Sequence, residues 1–522
     1  MDSKENVKKD SSLELSELHY ESKTLSTDVG KQADKIADEA TKRTNLLFTQ
    51  HEFDSAGMAA LFLDLYHAEF RHCDLTGWMV KKNRHWDTDS ADKAVELRIE
   101  RMMQARRAYT RNSNSIVKFT SEQTKACTPS GGKVAEVKHK IATYAPILVK
   151  NKEFEQIYDT IPYFLNCVNG TIDLRTGELL ETCPAEFTKE IAVPFEPCLD
   201  YTFIENFLAE TLGNYNDTRD FFQMYMGYCL SGSIREERSL YIAGPTRSGK
   251  GTWSEAFQKM LGAYAASRPF STFMKEREKG DQNFDLADLP NIRWVSVDES
   301  SEGGYINAEA FKGFTGGNSL YAAQKGKQGR NFTPSWKLTF FSNSDLKMEV
   351  TDNAAWGRME VLTFPNSRFG QENKNLKEDF KQIEVQKQLL AWAVAGSVKW
   401  YNSPNGLVVP ESSITEKNRM RGAIDSVGNW IEDCCEITKN PMDFIPSRQA
   451  HDNYLKWCGN GESPKKAKSF TAQLVKLGCV AGERETVDIT DLAGRPTGDK
   501  KQVKVLRGIK TKGWRWQVSA FD

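Results

Sequence analysis

The sequence predicts an α/β fold with a largely parallel central sheet, an α+β domain before it, and a smaller domain of helices and a β wing after it. Short apolar segments typical of buried strands alternate with helical or loop segments in the middle of the chain, which is the pattern of such a sheet. A glycine-rich loop follows the first of these segments and opens a helix. The four predicted strands contain Leu240–Ala243, Trp294–Val297, Leu338–Phe341 and Glu360–Phe364.

The length and composition are those of a globular protein with several domains. The chain has 522 residues, and a domain averages roughly 150 residues, so we expect about three. No window approaches the roughly 20 consecutive apolar residues that a membrane span needs, which predicts that the membrane is not a partner. Since the start of the chain lacks the basic and apolar segments of a secretory signal, we expect a location in the cytoplasm of a bacterial or host cell.

Cysteine spacing and net charge narrow the function classes further. The ten cysteines form no C-x-x-C pair, which favours reduced thiols over a zinc or redox motif. The net charge of −1 argues against a surface that is basic everywhere. Contacts with nucleic acid are therefore expected only on particular elements.

Changes in composition along the chain predict the domain boundaries. Residues 1–45 are rich in charged residues and serine, which predicts a disordered or weakly helical segment. Residues 46–200 form an accessory domain with a helix around Ser55–Phe70 and a hairpin around Gly77–Trp86. Residues 201–405 then hold helices over 201–235, the four strands and a closing helix over Glu384–Tyr401.

The C-terminal residues 425–522 form a basic module, because lysine and arginine outnumber the acids there. Helices are predicted around Gln449–Trp457 and Ser469–Leu477, followed by a strand pair around Val503–Leu506 and Trp514–Val518. Helices followed by a β wing predict a winged-helix-like domain that binds duplex DNA. The lysines just ahead of its second helix are Lys465, Lys466 and Lys468.

A phosphate-binding loop is the strongest single motif in the sequence. Its spacing, Gly244-x4-Gly249-Lys250, follows an apolar strand and precedes a helix, so backbone N–H groups face an anion while the lysine neutralises the outer phosphates. Gly251 replaces the usual hydroxyl residue, and Thr252 is therefore the candidate magnesium ligand. The predicted nucleotide-binding residues are Gly244, Pro245, Thr246, Arg247, Ser248, Gly249, Lys250, Gly251 and Thr252.

Polar residues at the ends of the later strands complete a candidate ATPase site. Asp298 and Glu299 end one strand, where one acid can bind magnesium and the other can polarise the attacking water. Asn343 ends another strand and suits orientation of that water. Arg358 precedes a further strand, and from a neighbouring subunit such an arginine stabilises charge on the transferred phosphoryl group. A surface position is the alternative for Arg358.

A glycine-rich basic segment between these strands predicts a nucleic-acid contact. Lys312 precedes a Thr-Gly-Gly sequence, and Lys325, Lys327 and Arg330 alternate with glycines after it. This pattern predicts a flexible hairpin with a positive tip, which suits contact with the backbone of a single strand in a channel. A solvated turn is the alternative.

The order of these motifs resembles the superfamily 3 helicases, specifically the phage, plasmid and poxvirus primase-helicase family. The resemblance extends from about Leu46 and is most specific in three places. These are the segment Leu165–Gly177, Lys312 with Thr315-Gly316-Gly317, and Arg358 followed by Phe364.

The resemblance implies an AAA+-like P-loop ATPase core that assembles as a homo-hexamer and hydrolyses ATP with Mg²⁺ at subunit interfaces. Lys250 and Thr252 would bind nucleotide and magnesium, and Asp298 and Glu299 would serve the metal and the water. Asn343 would be the sensor and Arg358 the arginine that acts on the neighbouring subunit. The expected function is unwinding of a replication origin or fork of a mobile element by 3′ to 5′ movement on single-stranded DNA in a central pore.

Other functions fit parts of the same pattern. A small-molecule nucleotide kinase would need several lid arginines after Asp298, which that segment lacks. An initiator that binds the origin and uses nucleotide only for assembly would keep Lys250 without needing Glu299 or Arg358. For the C-terminal module, docking of a separate primase or polymerase is the alternative to binding duplex origin DNA.

Overall fold

The computed structural model divides the chain into two compact units. One comprises the residues up to 160 together with 185–189, and the other comprises 161–184 and everything from 190 onward. Most of the predicted N-terminal segment 1–45 lies outside the described residues, and residues 42–50 are helical. The structure describes residues 42–112, 117–144, 147–197, 199–213, 215–274, 283–298, 305–323, 330–370, 373–459, 464–491 and 495–519.

The first unit packs helices around a small antiparallel sheet. Its elements are α1 (Ser55–Tyr66), β1 (Phe70–Cys73), β2 (Gly77–Lys81), β3 (Trp86–Asp87), α2 (Ala91–Arg111), α3 (Ser121–Ala126), α4 (Gly131–Ala142) and α5 (Asn151–Ile157). Asp54 caps α1 by accepting a hydrogen bond from the backbone N–H of Gly57. The helix ends before the predicted Phe70, because Phe70 pairs with Val80 across β1 and β2. The predicted hairpin between β2 and β3 is confirmed.

The second unit begins with an antiparallel sheet and two helices. These elements are β4 (Phe164–Cys167), β5 (Gly170–Asp173), β6 (Glu178–Leu180), α6 (Thr202–Leu212) and α7 (Asn216–Leu230). At the β4–β5 turn a Cβ atom on Gly170 would lie 2.4 Å from the side chain of Leu179, so a larger residue there would have to displace that side chain. The aromatic stripe predicted as core on α7 is buried, as Phe221, Phe222 and Tyr225 show.

A five-stranded parallel sheet follows and confirms the predicted α/β class. Its elements and neighbours are β7 (Ser239–Ala243), α8 (Lys250–Leu261), β8 (Ala265–Pro269), α9 (Ser271–Met274), β9 (Trp294–Asp298), β10 (Tyr305–Ile306), α10 (Ala308–Thr315), β11 (Leu320–Ala322), β12 (Arg330–Phe332), β13 (Lys337–Ser342), β14 (Lys347–Met348), α11 (Asn353–Arg358), β15 (Met359–Thr363), α12 (Leu376–Lys381) and α13 (Ile383–Asn402). The strand order is β15-β7-β13-β9-β8. Each of the four predicted strand segments lies in this sheet or directly at the end of one of its strands.

Both faces of this sheet are covered, which is why its central strands read as unbroken apolar runs. Leu240 and Ile242 of β7 belong to one hydrophobic cluster, which also contains Trp253 of α8. Tyr241, between them, belongs to a second cluster on the opposite face with Phe340 of β13. The alternation follows from the two-residue repeat of a strand. Among the described helices, none has the combination of length and apolar character that a bilayer span requires.

Two buried cations hold the edge of the sheet at which these strands begin. Arg293, just before β9, donates hydrogen bonds of 2.6 Å to the carbonyls of Leu230 and Phe164. Lys337, the first residue of β13, donates to Ser231 and to two further carbonyls, and burial lowers its pKa to about 7. Because these carbonyls include the end of α7, the cations satisfy groups that the helix leaves unpaired.

The C-terminal module comprises helices and a three-stranded sheet. The helix α14 (Glu411–Ile424) leads into it. The elements of the module are α15 (Ser426–Cys434), β16 (Cys435–Ile437), β17 (Phe444–Pro446), α16 (Ser447–Cys458), α17 (Ala467–Lys476), β18 (Val480–Thr490), β19 (Pro496–Arg507) and β20 (Ile509–Thr511). The two predicted helices are confirmed as α16 and α17. The sheet order is β17-β19-β18.

The predicted strand pair at the end of the chain is wrong. The segment 503–506 belongs to β19, which pairs with β18 and β17, whereas residues 514–518 form no strand. Trp514 and Trp516 pack against the core of the module instead, and the indole of Trp514 donates a 2.7 Å hydrogen bond to the carbonyl of Cys434. Their alternation with polar residues therefore reflects packing of an irregular segment.

Replacing Arg293 with methionine should lower the free energy of unfolding by about 3 kcal/mol, because two buried carbonyls lose their donor. Urea titration of both proteins measures the change. The matched control is Arg495→Met, since Arg495 is 79% exposed and should contribute less than about 0.5 kcal/mol. Equal unfolding midpoints for wild type and Arg293→Met would contradict the assigned role.

Candidate functional site

The loop between β7 and α8, residues 244–249, has a backbone that requires glycine at both ends. A Cβ atom on Gly244 would lie 2.3 Å from the carbonyl oxygen of Phe364. Gly249 has φ +97° and is the N-cap of α8. Arg247, near the tip, also has positive φ, at +67°, an uncommon conformation for a residue with a side chain. The loop therefore holds the N-terminus of α8 open toward a cavity, as anion binding requires.

A cavity of about 560 Å³ lies over this loop and carries excess positive charge. The residues that line it include 246–252 from the loop and α8, together with Asp298 and Asn343 from the ends of β9 and β13. Arg368, Lys374 and Lys377, which follow β15 in the chain, also line it. Since Arg247 and Lys250 also line it, the cavity suits a polyanion.

Lys250 is folded back onto the loop. Its ammonium donates to the carbonyls of Gly244 and Pro245 at 2.7 and 3.0 Å, and to Asn343 Oδ1 at 3.0 Å. Burial lowers its pKa to about 8, and no carboxylate among the described residues offsets this loss of water. The two predicted residues Lys250 and Asn343 therefore meet, and a phosphate can replace the loop carbonyls as the acceptor.

Asp298 and Thr252 line the same cavity, on β9 and α8. Partial burial, and to a smaller extent the charge of Glu255, raise the pKa of Asp298. Glu299, the second predicted acid, lies outside the described residues. Within the ranges that the structure describes, no group of three or more His, Cys, Asp or Glu side chains is placed to hold a metal by itself.

Sequence reasoning missed the basic residues of the segment after β15. Arg368, Lys374 and Lys377 belong to no predicted motif, yet they line the cavity. Lys377 also pairs with Glu255 of α8 at 2.5 Å. The sequence signal that could have found them is the group of basic residues soon after β15. That strand ends at the same edge of the sheet as the 244–249 loop, so residues that follow it can reach the cavity.

Arg358 lies at the opposite edge of the sheet from the cavity. β15 and β7 are parallel, with Met359 opposite Ser239 and Thr363 opposite Ala243, so Arg358 stands beside the start of β7. A strand of five residues spans about 16 Å, more than an arginine side chain can bridge. The guanidinium instead contacts Glu237 at 2.7 Å and the carbonyl of Lys312 at 2.8 Å.

The predicted hairpin is confirmed at its base. β11 and β12 pair in antiparallel fashion, with Leu320 opposite Phe332. Lys325 and Lys327 lie outside the described residues, as does the side chain of Arg330 in β12.

Lys312 does not lie on that hairpin, in contrast to the prediction. It belongs to α10, where its ammonium pairs with Asp352 at 2.8 Å. The glycines that follow it end a helix; they are not the glycines of the loop that joins β11 to β12.

The three predicted lysines of the C-terminal module differ in exposure. Lys465 is half-buried, and its ammonium donates to Gln473 Oε1 at 2.6 Å while its backbone N–H donates to the Tyr454 hydroxyl. Lys466 and Lys468 are exposed at the start of α17. An external anion can therefore reach Lys466 and Lys468 more readily than Lys465.

Two protein families match long segments of the chain. Residues 59–213 match the family described as "D5 N terminal like". Residues 242–358 match a second one, "Family of unknown function (DUF5906)". Each match covers less than half of the chain. The second match includes the loop, the acidic strand β9 and Arg358.

Viral proteins of low sequence identity match part of this chain. "Putative helicase 184R" of Invertebrate iridescent virus 6 is 24% identical over 407 residues, which is 70% of this chain and 41% of that protein. "Putative helicase 121R" of Invertebrate iridescent virus 3 is 22% identical over 348 residues, 60% of this chain and 37% of that protein. "Putative helicase 022R" of Frog virus 3 is 28% identical over 289 residues, which is 52% of this chain and 29% of that protein.

The chain thus spans less than half the length of each of these relatives.

Among solved structures, one described as the A form apo structure of the NrS-1 C-terminal region aligns with 86% of this chain and 98% of that chain. The TM-score is 0.46 and the identity 12%.

Nucleotide binding at pH 8 should take up about half a proton, because free Lys250 is half neutral near its lowered pKa of about 8 and phosphate favours the ammonium. Affinity should fall as the pH rises above 8. Titration calorimetry in buffers of different ionisation enthalpy measures the uptake.

The control for this titration is Lys250→Arg, whose guanidinium stays charged throughout the range. This variant should bind nucleotide without the proton uptake. The same uptake in both proteins would show that the protons are bound elsewhere.

Proposed function

We propose that this chain is an ATP-dependent DNA helicase of a phage, plasmid or other mobile element. The observation that carries the proposal is the arrangement of charges on the parallel sheet, with Lys250, Asn343 and Asp298 around one cationic cavity and Arg358 at the opposite edge. The helicase names of the viral relatives support the same class of activity. In this proposal the enzyme hydrolyses ATP and couples hydrolysis to strand separation.

The residues around the cavity fit ATP and Mg²⁺. Magnesium binds few protein ligands and fills its shell with phosphate oxygens and water, so Thr252 and Asp298 are sufficient from the protein. A bound Mg²⁺ would supply neutralisation of phosphate charge, while in this proposal Glu299 polarises the attacking water and Asn343 orients it. Lys250 exchanges its loop carbonyls for the outer phosphates.

Arg358 acts on the site of a neighbouring subunit in this proposal. Its distance from its own cavity, about 16 Å along a strand, excludes direct contact with a nucleotide bound there. An arginine that serves the next subunit implies a ring, and we propose a homo-hexamer. Before assembly Arg358 is paired with Glu237, so binding the neighbour's phosphate requires it to exchange this partner.

DNA contacts are proposed on two elements. The hairpin of β11 and β12 carries Lys325, Lys327 and Arg330 toward single-stranded DNA in a central pore, with movement from 3′ to 5′. The winged-helix-like module 425–522 binds duplex origin DNA through the start of α17, where Lys466 and Lys468 are exposed. Docking of a separate primase or polymerase is the other role that this module could serve.

Glu299→Gln should leave ATP binding intact while stopping turnover and strand separation, because the amide cannot accept a proton from water. Equilibrium nucleotide binding, DNA-stimulated ATPase and unwinding of a forked duplex are measured on the same preparation. The matched amide variant Asp298→Asn should instead weaken the effect of magnesium on binding. Unwinding by Glu299→Gln at the wild-type rate would exclude the mechanism, and wild-type protein that binds origin DNA without unwinding would favour an initiator.

A chain that ends at Ile424 should bind duplex origin DNA at least about tenfold more weakly at a fixed salt concentration, because it loses the basic module. It keeps α14, whose Met420 is buried in the core of the ATPase sheet, so that domain should stay folded. In the full chain, charge reversal of Lys466 and Lys468 should weaken binding in the same direction. Unchanged affinity in both cases would assign the module to protein docking.

A further inference from the structure

The chain that leaves β15 is bound directly to the 244–249 loop. The backbone N–H of Phe364 donates to the carbonyl of Ala243 at 2.8 Å. Beyond it, the hydroxyl of Ser367 donates to Thr246 O at 2.8 Å, and the backbone N–H of Arg368 donates to Arg247 O at 3.1 Å. The position of Arg368 relative to the loop is therefore set by its main chain and does not depend on its side chain.

The side chain of Arg368 lines the cavity and keeps part of its hydrogen-bonding capacity. Its Nη2 atom contacts Thr211 Oγ1 at 3.1 Å and Glu210 at 3.2 Å, both at the end of α6. No other nitrogen of this guanidinium donates to an acceptor among the described residues. The side chain is 21% exposed. A guanidinium placed in this way has N–H groups and a full charge for an anionic ligand.

The strand order places Arg368 on one side of Lys250 and the proposed reaction groups on the other. β7 lies between β13 and β15 in the sheet. Asn343 follows β13 and Asp298 ends the next strand, β9, so the reacting γ-phosphate belongs on that side. A nucleotide that crosses the loop then extends its α-phosphate and ribose toward the side of β15, where Arg368 lies.

We propose that Arg368 binds the α-phosphate of the nucleotide within the same subunit. This proposal rests on the proposed function for the identity of the ligand, a nucleoside di- or triphosphate, and not on hydrolysis or unwinding. Arg368 then binds the α-phosphate of the nucleotide in its own subunit, whereas Arg358 acts on the transferred phosphoryl group of the nucleotide in the neighbouring subunit. β15 joins them, since it begins after Arg358 and leads directly to the segment that carries Arg368.

The alternative is that Arg368 has only a structural role and holds the end of α6 through Glu210 and Thr211. Glu210→Gln separates the two explanations, because it weakens the contact with α6 while leaving the guanidinium in place. Arg368→Lys keeps the charge but loses the planar arrangement of donors. In every substitution of Arg368 the backbone hydrogen bond to Arg247 is retained, so the loop keeps its anchor.

The experiment measures dissociation constants of the full chain for MgADP and MgATP at one pH and salt concentration. Arg368→Ala should weaken both ligands by about 10- to 100-fold and to the same extent, since both carry an α-phosphate. Arg368→Lys should restore part of the affinity. Glu210→Gln and the exposed control Arg495→Ala should bind both ligands like the wild type.

Two results would overturn the proposal. One is unchanged ADP affinity in Arg368→Ala, which together with a loss for ATP would assign the contact to the γ-phosphate. The other is an equal loss of affinity in Glu210→Gln. A wild-type chain that binds neither nucleotide would instead refute the proposed function. The two failures are therefore distinguishable in one set of titrations.

Discussion

Hydrogen bonds between the adjacent parallel strands β15, β7, β13 and β9 fix which side chains at the strand ends meet at the candidate site and which lie away from it. Parallel strands end at the same edge of a sheet, so the loop after β7 meets Asn343 and Asp298 without any further arrangement. The same register puts Arg358 at the other edge. In the proposed mechanism one subunit supplies Lys250 and its neighbour supplies Arg358, and this arrangement follows from the register.

The C-terminal module is attached to that sheet close to the proposed sensor. Arg419 of α14 forms a bidentate ion pair with Asp345 at 2.8 and 2.9 Å, two residues after Asn343. Lys417 of the same helix pairs with the buried Glu360 of β15 at 2.9 Å. A shift of the end of β13 or of the start of β15 would therefore reach α14, the helix that leads into the module, and in the proposed function this links nucleotide binding to the DNA contacts.

The sequence allowed prediction of the features that depend on strand periodicity. Buried strands with polar ends predict which side chains meet, and Lys250 and Asn343 do meet at 3.0 Å. Arg368 could not be found in this way, because its place depends on the path of an irregular segment after β15. The alternating tryptophans at 514 and 516 predicted a strand wrongly, since two-residue alternation also arises when an irregular segment packs on a core. The orientation of Lys465 could not be predicted from the sequence either, because its ammonium is directed inward by the hydrogen bond to Gln473.

The most direct test of the central claim mixes Arg358→Ala with Lys250→Ala subunits and measures DNA-stimulated ATPase. Each variant alone should be nearly inactive, because every site lacks either the lysine or the neighbour's arginine. Equal mixing should restore about a quarter of wild-type turnover, since half of the sites keep Lys250 and half of their neighbours keep Arg358. An inactive mixture, or full turnover by Arg358→Ala alone, would contradict an active site shared between subunits.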